Sequence, residues 1–278
     1  MQIDQPRRTR VLLAALGALG ALLVPLGALS ACGAPAGPAS SGAAGATAPD
    51  GRRAHGDAGT AGADTDADTG AAAGPGARTG TGAAPDRIPG VGARMSRRIP
   101  VGSRQAVVVY GEGRNSPRAT LVLYTRHGDA WRRADGWAAH NGRDGWTTDH
   151  RMGDERSPVG VFTLSDAGGA LPDPGARLPY GQDGGAYAIP REWGPSRRHD
   201  FDYVIAIDYN RVRGTPPHDP GRPEGAAKGG GIWLHLDHGS GTSACVGVPR
   251  AAMRYLLRTL DPARHPVVVM GDKAELGA

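Results

Sequence analysis

Cysteine is scarce in this chain: only Cys32 and Cys245 occur among 278 residues. These two residues could form one disulfide at most, which would be the usual arrangement in an exported protein. If Cys32 has another use, Cys245 is left as a lone thiol. In an oxidising compartment a lone thiol is a liability unless it performs chemistry.

Long blocks of like charge are also missing. The formal net charge is only +5, and acidic and basic residues alternate along the chain. No basic patch is interleaved with aromatic residues, so nucleic-acid binding is a poor interpretation in spite of a pI near 9.5. The charge supports no more than a mild attraction to anionic envelope polymers or lipid head groups.

Large apolar residues are almost absent between residues 33 and 93, where much of the chain's surplus of glycine and proline lies. Such a segment cannot bury enough surface to offset the entropy of ordering it. We therefore predict a disordered tether over residues 32–95, with an end-to-end distance of roughly 40–45 Å. Residues 96–278 are then the single folded domain, of about 180 residues.

The first 31 residues are typical of an export signal. Arg7, Arg8 and Arg10 precede an apolar run over residues 11–29, whose glycine and proline content suits a cleaved signal better than a permanent span. The run ends in Leu29-Ser30-Ala31-Cys32, which resembles a bacterial lipobox. We predict a signal peptide over residues 1–31 and lipidation of Cys32, giving a membrane anchor without a spanning helix. The alternative is an ordinary secretory signal, and the arginine pair hints weakly at twin-arginine export.

The folded domain is predicted to be mainly β with one or two helices. Alternating or apolar runs predict strands at residues 105–110, 120–125, 159–164, 202–210, 232–236 and 266–270. Trp131 and Trp137 are predicted to flank a polar turn. Residues 165–200 have little periodicity and predict an irregular lobe able to cover a cleft. Pro249 suits the start of a helix, and an apolar stripe from Met253 to Leu260 predicts its extent.

The stretch from residue 230 to residue 249 carries the candidate chemistry. Period-2 geometry places Trp233 and His235 on one face of a strand and its leucines on the other. Cys245 follows ten residues after His235, just before the predicted helix start, where a thiolate is favoured. A thiol and an imidazole this close can form a nucleophile and its general base. His238 is the rival base.

The loop before Cys245 consists of small residues, Gly239 to Ala244. Backbone N–H groups there can approach a carbonyl oxygen without obstruction from side chains. Thiol, base and oxyanion donors together are what an acyl-transfer site requires.

At these residues the chain resembles the L,D-transpeptidase catalytic domain (YkuD-type). His235 and Thr242-Ser243-Ala244-Cys245-Val246 fall on the family's histidine and [Ser/Thr]-x-Gly-Cys-[Ile/Val] pattern. Residues 153–162 are similar to its upstream "G-D…T-P-x-G-x-F" segment, and residues 208–210 with 231–235 to its "x-Y-N…G-I-F-L-H" run. Ala244, Ser243 and Gly247 stand where many members have glycine, histidine, and arginine or asparagine.

The resemblance implies a β-sandwich fold and peptidoglycan chemistry. Cys245 would be acylated by a tetrapeptide stem with loss of D-alanine, and the acyl group would pass to an acceptor amine as a 3→3 cross-link. His235 would be the base, and the backbone of Ser243, Ala244 and Cys245 would hold the oxyanion. Substrate contacts are assigned to Thr242, Trp233 (unless it only packs) and Arg250.

The same resemblance implies no cofactor and no metal, and sensitivity to carbapenems. We expect a monomer, lipid-anchored on the outer face of the cell membrane, facing the wall, with stem peptides as its partners. It would serve wall synthesis and cell shape.

Three other interpretations stay open. A catalytically silent wall-binding or sensory module is motivated by Ala244 and Gly247. A Cys/His peptidase would use the same residues to hydrolyse stems. A metal-dependent hydrolase would use His235, Asp237, His238 and Cys245, although His-x-x-His in a loop is a weak metal signal.

Overall fold

A computed structural model describes residues 87–278. The predicted signal peptide, the lipidation at Cys32 and all but the end of the predicted tether lie outside the described residues. Within residues 87–278, no helix is long and apolar enough to cross a membrane.

The described residues form mostly short strands with few helices. The strands are β1 (Gln105–Gly111), β2 (Arg118–His127), β3 (Ala130–His140), β4 (Trp146–Thr147), β5 (Ser157–Pro158), β6 (Gly160–Thr163), β7 (Ala167–Gly169), β8 (Tyr180–Gln182), β9 (Val204–Ala206), β10 (Trp233–Leu236), β11 (Val246–Val248) and β12 (Val267–Asp272). The α-helices are α1 (Ala93–Ser96), α2 (Arg250–Thr259) and α3 (Lys273–Gly277).

Ten of these strands join one sheet in the order β6-β12-β1-β2-β3-β11-β10-β9-β7-β8, while β4 and β5 pair separately. Most neighbours are antiparallel, but β1 with β12, β10 with β11 and β7 with β8 run parallel. The prediction of a mainly-β domain with few helices is confirmed.

Alternate residues of the central strands enter different cores, because successive side chains of a strand point to opposite faces. Val107 and Val109 of β1 join the main core, which includes the apolar stripe of α2. Ala106 and Val108 face a second core, which is closed by residues near both ends of the described part. Both faces of β1 are therefore buried.

Two predictions need correction. Residues 132–136 form the middle of the long strand β3 rather than a polar turn, and the turn lies at Gly128–Asp129. Pattern reading misses β3 because Arg132 to Asp135 are all exposed, while the backbone still pairs with β2 along its length. The strand predicted over residues 202–210 is shorter, Val204–Ala206.

The folded part begins before the predicted boundary at residue 96. Ile88, Val91 and Met95 are buried and pack with Leu276 in the second core. A few apolar residues among glycine and proline are enough to anchor this segment, because the helix α3 supplies the apolar surface on which they pack.

The predicted irregular lobe, residues 165–200, holds β7, β8 and the 3-10 turns Arg191–Trp193 and Pro195–Arg197. Tyr187 of the lobe is buried in a third apolar cluster, which contains Cys245 and Trp233, and Ile189 and Trp193 pack against it. The lobe therefore lies against the candidate site.

Gly111, the last residue of β1, allows Trp146 to pack against the sheet. A β-carbon at residue 111 would lie 2.0 Å from the indole nitrogen of Trp146, which is 1% exposed. We expect Gly111→Ala to lower the free energy of unfolding by about 1–3 kcal/mol, because such overpacking forces neighbours to move. Denaturant unfolding measures this loss. Gly113→Ala is the control, since a β-carbon there meets nothing within 4 Å; equal losses for the two variants would contradict the packing argument.

Candidate active site

The parallel pair β10 and β11 brings His235 and Cys245 to one face of the sheet. Leu234 lies opposite Val246, and His235 lies opposite Gly247. Cys245 immediately precedes β11 and lies two residues before Gly247. Alternate residues of an extended strand share a face, so Cys245 points to the same face as Gly247. The leucines of β10 enter the main core instead, and Trp233 joins the cluster of Cys245. The predicted division of this strand into two faces is confirmed.

The sulfur of Cys245 lies against backbone polar groups. The N–H of Trp233 donates to Sγ at 3.4 Å, and the carbonyl oxygen of Gly231 is 3.6 Å away. Cys245 is buried, with Tyr187 and Phe201 in the same cluster. A backbone donor aimed at the sulfur stabilises a thiolate, which burial alone would disfavour.

Cys245 is disulfide-bonded in this structure. The expectation that it stands as a lone thiol is therefore wrong for this state of the protein. Cys32, the other cysteine of the chain, lies outside the described residues. Any reaction at the sulfur first requires reduction of this bond, since a thiolate and not a disulfide is the nucleophile.

His235 is held as a neutral base. Its Nδ1 lies 2.8 Å from the carbonyl oxygen of Leu236, so the Nδ1–H donates there and Nε2 keeps a free lone pair. The side chain is buried, and the edge of Phe201 packs on it with ring centroids 5.5 Å apart. Burial lowers the pKa of His235, which keeps the ring unprotonated at neutral pH.

His238, the rival base, is paired with a different residue. Its ring stacks on His235 with centroids 6.3 Å apart and planes within 8°. Its Nδ1 lies 3.0 Å from Oδ2 of Asp200, and both side chains are 4% exposed. Asp200 did not stand out in the sequence, because nothing local marks it as a partner of a histidine 38 residues away.

Two hydroxyl groups fix the loop that carries Cys245. Thr242 Oγ1 donates to the carbonyl oxygen of Cys245 at 2.6 Å. Ser157 Oγ donates to the carbonyl oxygen of Ala244 at 2.6 Å and accepts from the N–H of Gly142 at 2.8 Å. Thr242 thus uses its hydroxyl proton to hold the loop, and its predicted substrate contact stays a prediction. Ser157 belongs to the upstream motif and is fully buried.

The predicted oxyanion donors lie in this fixed loop. Ala244 immediately precedes Cys245. Within residues 87–278, its backbone N–H donates to no acceptor. Ala244 has no positive φ and is 4% exposed, so its methyl group packs into the main core without strain. The Ser243 hydroxyl bonds to Glu155, whose pKa is raised chiefly by burial.

Trp233 and Arg250 are both engaged within the protein. Trp233 is 1% exposed, and its indole N–H donates to the carbonyl oxygen of Pro217 at 3.1 Å. Trp233 thus packs in the interior, and its predicted substrate contact stays a prediction. Arg250, the first residue of α2, is bonded to the carboxylate of Asp202 and keeps 44% of its side chain exposed.

Gly247 makes room for a hydrogen-bonded contact between His140 and Asp237 that the sequence did not reveal. His140 Nδ1 lies 3.0 Å from both carboxylate oxygens of Asp237. A β-carbon at residue 247 would lie 3.0 Å from one of these oxygens, so a larger side chain there would push Asp237 away. The two partners are 97 residues apart in sequence, and no local pattern links them.

Within residues 87–278, no group of three or more His, Cys, Asp or Glu side chains is arranged to hold a metal ion. The residues named for the metal alternative are committed elsewhere: His235 to a carbonyl, His238 to Asp200, and Asp237 to His140.

Comparison with known proteins gives little. No protein-family model matches the chain, and no curated protein matches it. Among solved structures, the chain is similar to Bd1075 of Bdellovibrio bacteriovorus, with 18% identity and a TM-score of 0.33 over 60% of this chain and 47% of that one. It is also similar to the helical cell shape determining protein Pgp2 from Campylobacter jejuni, with 16% identity and a TM-score of 0.37 over 63% of this chain and 50% of that one. The chain spans about half the length of each structure.

Ser157→Ala tests whether the buried hydroxyl holds the loop. Removing it leaves the carbonyl of Ala244 and the N–H of Gly142 unsatisfied, which costs about 1–3 kcal/mol of unfolding free energy. We also expect slower modification of the reduced Cys245 by acylating reagents, since the loop loses its position. Ser196→Ala, at an exposed position of the lobe, is the control. Unchanged stability and reactivity in Ser157→Ala would refute this role.

Two buried histidines make the stability depend on pH. Burial lowers the pKa of both His150 and His235 below the ordinary value of about 6.5. Below about pH 6.5 the unfolded chain binds more protons than the folded one, so stability falls as the pH falls. For each histidine the loss approaches about 1.4 kcal/mol per pH unit. Denaturant titrations at several pH values measure how the free energy of unfolding changes with pH. We expect a smaller change with pH for His235→Gln than for the unmodified protein, and no difference for the exposed His127→Gln. An unaltered pH dependence in His235→Gln would contradict the assignment.

Proposed function

We propose that this chain is a cell-wall L,D-transpeptidase that uses Cys245 as its nucleophile and His235 as its general base. The observation that carries the proposal is the position of these two side chains on one face of β10 and β11. The tautomer of His235 adds to it, because Nδ1 is fixed on Leu236 and Nε2 is the basic atom. The chain's resemblance to the YkuD-type domain supplies the substrate class.

Acylation follows from this arrangement once Cys245 is reduced. Nε2 of His235 takes the proton of the thiol, and the thiolate attacks the carbonyl carbon before the terminal D-alanine of a tetrapeptide stem. The resulting oxyanion is bound by backbone N–H groups of the fixed loop, among them that of Ala244. The C–N bond then breaks, D-alanine leaves with a proton from His235, and a thioester remains on Cys245.

Transfer reverses the proton movements. A side-chain amine of a neighbouring stem attacks the thioester carbonyl and loses a proton to Nε2 of His235. The C–S bond breaks, Cys245 recovers its proton, and the two stems are joined through a 3→3 amide. A loop that holds the sulfur and the oxyanion donors rigidly serves both half-reactions, because both pass through the same tetrahedral geometry.

The setting of the reaction is proposed from the N-terminal sequence. A lipid anchor at Cys32 and a tether of about 60 residues would hold the domain outside the cell membrane, within reach of the wall. A diacylated Cys32 carries its lipid on the sulfur. Lipidation of Cys32 and a disulfide at Cys245 therefore exclude each other, since the chain has only these two cysteines. The lipid-anchored form that we propose is the form in which Cys245 is not held in that disulfide.

Water as the acceptor in place of an amine would make the same residues a peptidase. A silent wall-binding module would have the fold without the reaction. The site geometry is common to the transpeptidase and the peptidase, and the acylation experiment below distinguishes both enzymes from the silent module.

The proposal is tested by acylation with a carbapenem under reducing conditions. We expect the full chain to gain the mass of one carbapenem, located on Cys245 by peptide mapping. Cys245→Ala should gain none, and His235→Ala should react about 10²–10⁴-fold more slowly, the usual loss for a general base.

His127→Ala is the matched histidine control, because that residue is exposed and lies on β2 away from the cysteine strand. An unmodified Cys245 in fully reduced, folded protein would overturn the proposal in favour of a silent module. A larger loss for His238→Ala than for His235→Ala would overturn the base assignment.

A further inference from the structure

The sheet carries a second imidazole beside the cysteine strand, and the reaction described above does not use it. His140 of β3 lies opposite Gly247 of β11, and Gly247 lies opposite His235 of β10. Residues directly opposite each other on neighbouring strands point to the same face of a sheet. His140 and His235 therefore flank β11, one on each side, and both lie on the face to which Cys245 points.

The carboxylate of Asp237 fixes the ring of His140. Asp237 lies two residues after His235, and both of its carboxylate oxygens are 3.0 Å from His140 Nδ1. One of these oxygens also accepts a bond of 3.2 Å from the N–H of Gly239. The carboxylate can reach across β11 because residue 247 is glycine: a β-carbon there would lie 3.0 Å from Oδ1.

The contact between His140 and Asp237 is open to solvent, unlike His235. The side chains of His140 and Asp237 are 23% and 20% exposed, whereas His235 is buried. Since Nδ1 of His140 faces the carboxylate, Nε2 is the ring atom that can exchange a proton with a ligand or with water. Phe201 packs on the rings of Trp233 and His235, so aromatic side chains cover the β10 side of the cysteine strand and the open contact lies on the other side.

The surroundings leave the carboxylate able to attract a cation. A carboxylate has about four lone-pair sites, and the donors at His140 and Gly239 do not fill them. Within residues 87–278, no arginine or lysine forms an ion pair with Asp237. Arg118 lies opposite His140 on β2, but its guanidinium is paired with Glu112 at 2.7 Å.

Transfer to the acceptor includes a proton step that His235 alone does not supply. A lysine-like side-chain amine has a pKa of about 10.4, so it arrives as an ammonium ion with no lone pair for attack. In becoming an amide nitrogen, this ion loses two protons. His235 takes one of them and the sulfur of Cys245 recovers it, so the other proton has to leave before the attack, to a different group.

We propose that His140 and Asp237 form the acceptor site, which binds a primary ammonium group. Asp237 attracts the cation, and Nε2 of His140 removes one proton, which passes on to water. The neutral amine then attacks the thioester on Cys245 as described above. This assignment rests on the proposed function and adds to it the place where the acceptor binds and loses its first proton.

The test compares a charged and a neutral acceptor on the same reduced full chain. The protein is incubated with purified tetrapeptide muropeptides, with and without hydroxylamine, and the products are measured by mass spectrometry. Dimers report transfer to the side-chain amine, which is an ammonium ion at neutral pH. Hydroxamates report transfer to hydroxylamine, which is largely unprotonated at neutral pH and needs no base before it attacks.

His140→Gln should lower the rate of dimer formation by about 10²-fold, the lower end of the usual loss for a general base, and leave hydroxamate formation within about threefold. Asp237→Asn should raise the muropeptide concentration needed for half-maximal dimer formation, because the cation is no longer attracted. His127→Gln is the control, since that residue is exposed at the end of β2, and it should alter neither product.

Two results would overturn the acceptor site while leaving the proposed function intact. One is an unchanged rate of dimer formation in His140→Gln. The other is an equal loss of dimers and hydroxamates, which would show that His140 only supports the structure of the site. If the unmodified protein forms neither product, the proposed function itself fails, and the acceptor site fails with it.

Discussion

The attachment of the cysteine loop to its surroundings is the constraint on which the rest of the site depends. The carbonyl oxygens of residues 244 and 245 accept hydrogen bonds of 2.6 Å from Ser157 and Thr242, two buried hydroxyl groups. With its carbonyls held in this way, the loop can direct N–H groups toward an oxyanion. The parallel pairing of β10 and β11 then brings the base onto the same face as the nucleophile.

Buried ionisable groups surround His235, and a stable core would not need them. Asp200, His238 and His235 all lie out of contact with water, where each charge costs free energy unless it is compensated. Buried groups with a perturbed pKa, as His235 has, are concentrated at functional sites. The main core on the other face of β10 is apolar and consists chiefly of leucine, isoleucine, valine and alanine. The contrast between the two faces of one strand is therefore the physical sign of a site.

Local patterns in the sequence predicted what depends on neighbours in the chain. The alternation of residues 232–236 gave the correct faces of β10, and the stripe from Met253 to Leu260 gave the helix beside it. Contacts between distant residues were missed, because no local pattern encodes them: Ser157 reaches a carbonyl 87 residues away. The strand β3 was missed for a different reason, since its exposed face is polar and only its backbone pairing makes it a strand.

We propose that the fixed cysteine and the neutral histidine perform acyl transfer between peptidoglycan stems. The most direct measurement is product analysis by mass spectrometry after the reduced full chain is incubated with purified tetrapeptide muropeptides. We expect release of D-alanine and formation of dimers joined by 3→3 links, with neither product formed by Cys245→Ala. Tripeptide products without dimers would show a hydrolase instead, and unchanged substrate would contradict the claim that this site is catalytic.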